Sequence, residues 1–396
     1  MMKTFLFLKF STIIQFFGIS PFISIPLFFL ILPSVLLYFT FLIINILGLL
    51  KLSSKSKAEL VSNESISVVV AIRNGEKSLE KLIKFLSNQD YRGKLEFILV
   101  DDESTDKTKD IIQKAQASDN RFKYVSSKNG SNLLKFKKRA LDAGIKKSQN
   151  DILLFTDVDC ELSPSWVRSM VSCFDSKVDY VIGFSRAKYI YGLANLFQRI
   201  DFLILMFSSA ATCKLKYPLA SSGQNQAFRK KLFYQVGGYN KISHLLMGDD
   251  SIFLQLCIRK GINVKFALNK NSFVHCRSEK KWKSLLLQRM RWAGDGKVMW
   301  QYNFKFFLIM CSTVIVNLLM IILPFFNVGL ILLGFIALKF IFEMFVALIG
   351  AKKFDEKISF LEFIIWFCIN IPYVVIMCLA SFFVGFISWQ GRQQKC

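Results

Sequence analysis

From Pro21 to Leu50 the chain carries no charged residue. That run is long enough to cross a hydrocarbon core of roughly 30 Å, and it ends at Lys51, Lys55 and Lys57, which the positive-inside rule places in the cytoplasm. A cleaved signal peptide fits less well, because the apolar run is too long and no small-residue cleavage site follows it. Phe5 to Ser20 is also apolar but holds Lys9 and Gln15, so an interfacial helix and a second, poor span stay open. Near the other end stand three more apolar blocks, Phe306 to Phe326, Gly329 to Ala351 and Phe360 to Trp389, each long enough to span. The Lys-rich connection Lys352 to Ser359 belongs inside, so these spans are expected to leave the cytoplasm, return and leave again. Lys339 and Glu343 are four apart on one helix face and are expected to form a structural ion pair. Pro324 and Pro372 are expected to end or kink their helices.

Between the apolar ends the pattern is that of a soluble α/β domain. Ser53 to Ser65 is polar and Ser/Lys-rich, a linker. Strands are expected at Ile66 to Ile72, Leu95 to Val100, Phe122 to Val125, Ile152 to Asp157, Tyr180 to Phe184 and Ile262 to Leu268. Helices are expected at Glu76 to Ser87, Asp106 to Ala117, Phe136 to Ser148, Lys230 to Tyr239, Ser251 to Lys260 and Lys281 to Trp300. Such alternation implies a mostly parallel sheet with helices on both faces. Gly192 to Ala211 is apolar but interrupted by Gln198, Arg199 and Asp201, and reads as a core or membrane-surface helix. The expected division is a membrane segment 1–50, a linker 51–65, a cytoplasmic domain 66–300 and a three-span membrane domain 301–396.

Hydrophobic residues make up 53% of the chain and Phe alone counts 41, as two apolar ends require. The net charge of +24 suggests an anionic partner, and an anionic cytoplasmic leaflet beside the spans accounts for it. No nucleic-acid motif is present. The nine cysteines show no Cys-x-x-Cys spacing, which argues against a disulfide framework or a zinc site.

The chemistry concentrates in carboxylates. Ile152 to Phe155 reads as a buried strand that ends in Asp157 and Asp159, whose alternate positions put both side chains on one side. Two hard oxygen ligands there could hold Mg²⁺ or Mn²⁺ against a diphosphate, and a polar turn is the plainer alternative. Asp101-Asp102 follows the second strand, where a carboxylate could accept from a base or a ribose hydroxyl; capping of the next helix, by Ser104 or Thr105, is the competing explanation. Asp249-Asp250 precedes another helix and could serve its dipole. The fourth signal is Gln288-Arg289-Met290-Arg291-Trp292, in which Gln288, Arg291 and Trp292 share one helix face. Arg suits a diphosphate leaving group, and Trp suits a sugar ring or the bilayer interface.

Taken in this order the motifs resemble those of the membrane-bound family-2 inverting glycosyltransferases, with the resemblance running from Ile66 to Trp292. It implies a GT-A type nucleotide-sugar fold with transmembrane helices at both ends. The family's Pro-Ala-Arg-Asn-like turn is met by Ala71, Ile72, Arg73 and Asn74 with Glu76, the proline being absent. Asp-Asp-x-Ser is met by Asp101, Asp102 and Ser104, which implies uracil and ribose contacts. Lys137, Ala140, Leu141, Asp142 and Gly144 match a donor-binding segment whose usual leading glycine is replaced by Phe136. Asp157 and Asp159 match Asp-x-Asp, which implies metal and diphosphate binding. A Gly-x-Asn-x-Ala-x-Arg loop fits Gly223, Asn225, Ala227 and Arg229. Asp250 corresponds to the family's catalytic base, and Gln288, Arg291 and Trp292 complete its Gln-x-x-Arg-Trp motif. His275 stands just upstream, as a metal or phosphate contact or as an ordinary polar residue.

The resemblance implies single displacement at the anomeric centre of a nucleotide-diphosphate sugar, with UDP-sugar the expected donor and a lipid or saccharide acceptor. A multi-pass protein of a bacterial inner membrane with a cytoplasmic catalytic domain is expected. A processive polysaccharide synthase is the alternative, and a catalytically dead nucleotide-binding scaffold is a third reading.

Overall fold

The computed structural model describes residues 21–53, 64–325, 329–382, 388–389 and 392–393. The expectation for Phe5 to Ser20 and most of the linker lie outside the described residues.

Helix α1 (Pro21–Lys51) leads to the α/β domain. There β1 (Ile66–Ile72), α2 (Glu76–Ser87), β2 (Leu95–Asp101), α3 (Thr108–Ser118), β3 (Phe122–Ser126), α4 (Phe136–Lys147) and β4 (Ile152–Thr156) alternate as the pattern predicts. Next come α5 (Trp166–Val171), β5 (Tyr180–Ile182), β6 (Ser185–Ala187), α6 (Leu193–Lys214), β7 (Asn225–Arg229) and α7 (Lys230–Gln235). The domain closes with α8 (Ser251–Ile258), β8 (Val264–Phe266), β9 (Val274–Cys276) and α9 (Trp282–Tyr302). The chain then runs through α10 (Phe304–Ile322), α11 (Gly329–Phe354) and α12 (Phe360–Ala380).

Seven strands form one sheet in the order β3-β2-β1-β4-β7-β5-β8. Only β7 runs against its neighbours, antiparallel to both β4 and β5. A parallel sheet is buried on both faces, so its central strands are nearly all apolar, as Ile66–Ile72 is. On one face Val68, Val70 and Phe97 pack under Leu79, Leu82 and Leu86 of α2 and Ile112 of α3. On the other, Val69, Ile98 and Phe155 pack under α4, α8 and Met299 of α9. A separate parallel pair, β6 with β9, lies beside the main sheet.

Two boundaries and three short strands correct the sequence expectation. The strand ends at Thr156, and Asp157-Val158-Asp159 is a turn closed by Cys160 N–H donating to Asp157 O at 3.1 Å. The two aspartates are therefore brought together by a turn and not by strand alternation. Helix α3 starts at Thr108, and Asp106 holds its first turn by accepting from Thr108 N at 3.0 Å, while Ser104 Oγ accepts from Asn74 N. Strand β7 and the β6–β9 pair were not anticipated, because three- to five-residue strands carry too little periodicity.

Among the described residues five helices are long and apolar enough to cross a membrane: α1, α6, α10, α11 and α12. Helix α6 is mostly buried inside the protein, in keeping with its Gln198, Arg199 and Asp201. It lies where α1 and α11 end. Gly48 of α1 comes so close to α6 that a side chain there would stand 2.4 Å from Ala211 O. Phe207 of α6 stacks on Phe354 at the end of α11, ring centres 5.4 Å apart. Lys339 and Glu343 of α11 pair at 2.8 Å, as expected, and Tyr38 of α1 donates to the same carboxylate. Pro324 falls in the short turn after α10, and Pro372 lies inside α12.

Candidate active site

The site lies at the carboxyl ends of β1, β2 and β4, where an open α/β sheet leaves a crevice. Two turns there are laced together. Arg73 Nη1 donates to Asp102 O at 2.8 Å and Glu103 O at 2.9 Å. Asn74 Oδ1 accepts from Thr105 N at 2.9 Å, and Glu76 Oε2 accepts from Lys107 N at 3.0 Å. Arg73, Asn74 and Glu76 thus spend polar groups on holding the turn after β1 to the turn after β2. Ile72 registers with Asp101, Asp102 N donates to Ile72 O at 2.7 Å, and both aspartates are buried. Ala71 is half-buried on the same strand end.

Lys137, at the start of α4, bridges two carboxylate groups. Its Nζ lies 2.9 Å from Asp157 Oδ1 and 3.3 Å from Asp249 Oδ2. Burial opposes its charge, but Asp157 and Asp249 outweigh burial and hold it above its ordinary value. Gly223 N donates to Asp250 Oδ2 at 3.1 Å. A Cβ on Gly223 would stand 3.2 Å from both Asp249 Oδ2 and Lys137 Nζ, so a larger residue there would have to displace those side-chain ends. Burial first, and Asp249 second, push the Asp250 carboxyl up to about 6. The other oxygen of Asp250 caps α8 by accepting from Ser251 N. The capping role and the site role therefore coexist on one side chain.

Asp159 is pushed up to about 6 by burial and by Asp157. Two carboxylates crowded by a turn, with Lys137 touching only Asp157, fit a hard divalent cation that would relieve their repulsion. Among the described residues no group of three or more His, Cys, Asp or Glu side chains that could hold a metal ion occurs.

Helix α9 brings the fourth motif. Gln288 Oε1 faces Gln198 Nε2 of α6 at 3.5 Å. Arg289, which the motif leaves unassigned, is buried and ion-paired with Asp201 of α6 at 2.9 Å. Its guanidinium lies 4.2 Å from the Trp292 ring centre, and Trp292 also packs on Phe202. Trp292 is accordingly an anchor of α9 on α6. Arg291 is half-buried, and burial lowers its pKa while Glu279 opposes that shift.

Asp295 was missed by the sequence reading. It sits one turn beyond Arg291, on the helix face that carries Met299 and Tyr302 onto α8. Burial, then Asp250 and Asp249, hold its carboxyl well above the usual range. The signal was its spacing, seven from Gln288 and four from Arg291.

His275 stands outside this constellation. Its Nε2 meets Arg186 Nη2 at 2.8 Å, and its backbone bridges to Glu161. Burial, then Arg186, lower its pKa. Asn225 is wholly buried and holds Phe184 O, Ser272 O and Trp166 Nε1, while Arg229 binds Val178 O and Asp175 O. Those two motif residues build the sheet.

The family model described as Glycosyl transferase family 2 matches residues 67–237, and that described as Glycosyl transferase family group 2 matches 153–382, more than half of the chain. A 4,4'-diaponeurosporenoate glycosyltransferase of Staphylococcus haemolyticus is 38% identical over 112 residues, 28% of this chain and 28% of that protein. A GalNAc(5)-diNAcBac-PP-undecaprenol beta-1,3-glucosyltransferase of Campylobacter jejuni is 32% identical over 121 residues, 30% of this chain and 37% of that one. The matched stretch thus spans under two fifths of either relative. The mannosyltransferase PcManGT from Pyrobaculum calidifontis, solved with GDP-Man and Mn2+, aligns over 91% of this chain and 98% of its own, with TM-score 0.58 and 17% identity. That likeness is one of fold.

Proposed function

The chain belongs to the family-2 glycosyltransferases, and from that premise we propose that it transfers one sugar, with inversion, from a nucleotide-diphosphate sugar to a lipid or lipid-linked acceptor at the cytoplasmic membrane face. The observation that carries the reading is the Lys137 bridge, which draws the Asp157 turn and the Asp249-Asp250 turn into one pocket. A binding module has no need of a second carboxylate pair beside the first.

In the proposed reaction the acceptor hydroxyl attacks the anomeric carbon as the bond from that carbon to the diphosphate breaks. Asp250 takes the hydroxyl proton, for which its raised pKa near 6 suits it. Charge gathers on the departing diphosphate, and Arg291 together with Lys137 offsets it. Asp157 and Asp159 would hold a divalent cation, which when bound supplies further neutralising charge. Asp101 and Asp102 receive the nucleoside, with UDP-sugar the expected donor. Arg73, Asn74 and Glu76 keep that turn in place, and Gln288 and Trp292 seat α9 over the site.

The lipid acceptor is supported by geometry and by the relatives. Helices α1 and α11 end, and α10 begins, beside the catalytic domain, so the site lies close to the lipid surface. The names of two relatives refer to 4,4'-diaponeurosporenoate and to a saccharide on PP-undecaprenol. The test is purified protein in detergent, presented with a panel of nucleotide sugars and Mg²⁺ or Mn²⁺ and assayed for nucleotide release. Acceptor-dependent release with one sugar is expected. No release from any donor, in protein that still binds nucleotide, would refute the activity.

A further inference from the structure

Helices α8 and α9 run side by side in the same direction. Met299 of α9 belongs to the apolar cluster that holds Ile252 and Phe253, at the start of α8. Arg259, at the end of α8, donates to Tyr302 O at 2.7 Å. Asp295 lies one turn before Met299, about 6 Å back along the axis, and so comes level with Asp250, the cap of α8. The next residue, Gly296, lies against Met310 of α10, a built Cβ standing 3.8 Å from its Sδ. Asp295 therefore joins the Asp250 end of α8 to the apolar helices, the side from which a lipid-borne group would arrive.

The other charges of this group are already engaged. Lys137 stands 3.3 Å from Asp249 Oδ2, and the two oxygens of Asp250 accept from Gly223 N and Ser251 N. Lys138 is buried and donates to Ile242 O and Leu245 O. Asp295 is half-buried and accepts no hydrogen bond or ion pair from any described residue. Burial, then Asp250 and Asp249, disfavour its ionised form, so the group has a proton to give as well as lone pairs to accept with. A ligand there must offer a donor and an acceptor and bring no negative charge. A hydroxyl meets both needs. A carboxylate would add an anion to three carboxyl groups, and a protonated carboxyl offers an ammonium no counter-charge.

We propose that Asp295 selects the acceptor: it hydrogen-bonds a second hydroxyl beside the one that Asp250 deprotonates, so the acceptor headgroup is a saccharide or another vicinal polyol. The inference rests on the transfer reading above and narrows its acceptor. A carboxylic acid or a simple alcohol lacks the second hydroxyl and leaves Asp295 without a partner. The transfer itself is unchanged. The bond from the anomeric carbon to the diphosphate breaks as the bond to the acceptor oxygen forms, the hydroxyl proton goes to Asp250, and Asp295 ends with the proton it began with. Asp295 is thus a specificity residue, and the reacting oxygen is held by Asp250.

Binding, read apart from turnover, tests this. The full chain in lipid nanodiscs is exposed to an alkyl glucoside that carries a photoactivatable diazirine next to the sugar, and labelled peptides are identified by mass spectrometry. Labelling of α9 or the start of α10 is expected. Octyl glucoside below its micellar concentration should compete it away, and decanol or decanoic acid at the same concentration should not. Asp295→Leu should lower the competed labelling tenfold or more while the affinity for uridine diphosphate and the melting temperature hold. Asp295→Asn, which keeps a donor and an acceptor, should recover most of it. Equal competition by decanol or decanoic acid, labelling that Asp295→Leu leaves unchanged, or no labelling in protein that binds uridine diphosphate would each overturn the inference. The expected pattern in protein that turns over no donor would strike the transferase reading and leave the hydroxyl subsite standing.

Discussion

At the residue scale the site is governed by how many carboxylates share a poorly hydrated pocket. Asp250 is pushed up to about 6, from an ordinary value near 3.9. A base works deprotonated, so turnover should be level above about pH 7 and fall roughly tenfold for each unit below 6. A pH–rate profile at saturating donor checks this, and a limb near pH 4 would contradict it. Asp250→Asn should lose on the order of 10²–10⁴-fold in kcat and keep its affinity for nucleotide sugar. Retained turnover would remove Asp250 from the role of base. Gly223→Ala pushes a methyl group against Asp249 and Lys137 at 3.2 Å. It should lower kcat about tenfold or more with little change in melting temperature, since the displaced atoms belong to the pocket and not to the core.

At the element scale the decisive contact is between α9 and α6. Arg289 is 3% and Asp201 8% exposed, and neither charge has water to turn to if its partner goes. Arg289→Ala alone should cost about 3–5 kcal/mol in a denaturant titration. Arg289→Met combined with Asp201→Leu should recover most of that loss, because an apolar pair of similar volume needs no ion pairing. Activity separates packing from chemistry. The double variant should stay active if α9 needs only to be seated.

At the scale of the whole molecule, a buried polar cluster joins the apolar helices α1, α11 and α12. Lys339 is fully buried, with Glu343 and Tyr38 as neighbours and Phe367 4.4 Å below its ammonium. Lys339→Met should leave Glu343 facing Tyr38 without a counter-charge and lower the melting temperature in detergent. Lys339→Met with Glu343→Gln should restore it. Equal losses in single and double variants would mean that the pair carries no coupling.

Composition and periodicity by themselves determined the apolar ends, the alternating α/β middle and the identity of the acidic pairs, because burial on both faces of a parallel sheet and a bilayer's thickness leave plain marks on a sequence. The pairing of Lys339 with Glu343 was equally legible, since it lies within one helix. What only the tertiary structure decided is what depends on residues far apart along the chain. Lys137 joins Asp157 to Asp249, Asp295 arrives from α9, Trp292 is spent on Arg289 and Phe202, and the turn at Asp157 does what strand alternation was expected to do. Spacing reports what shares one element, but only packing sets which elements meet.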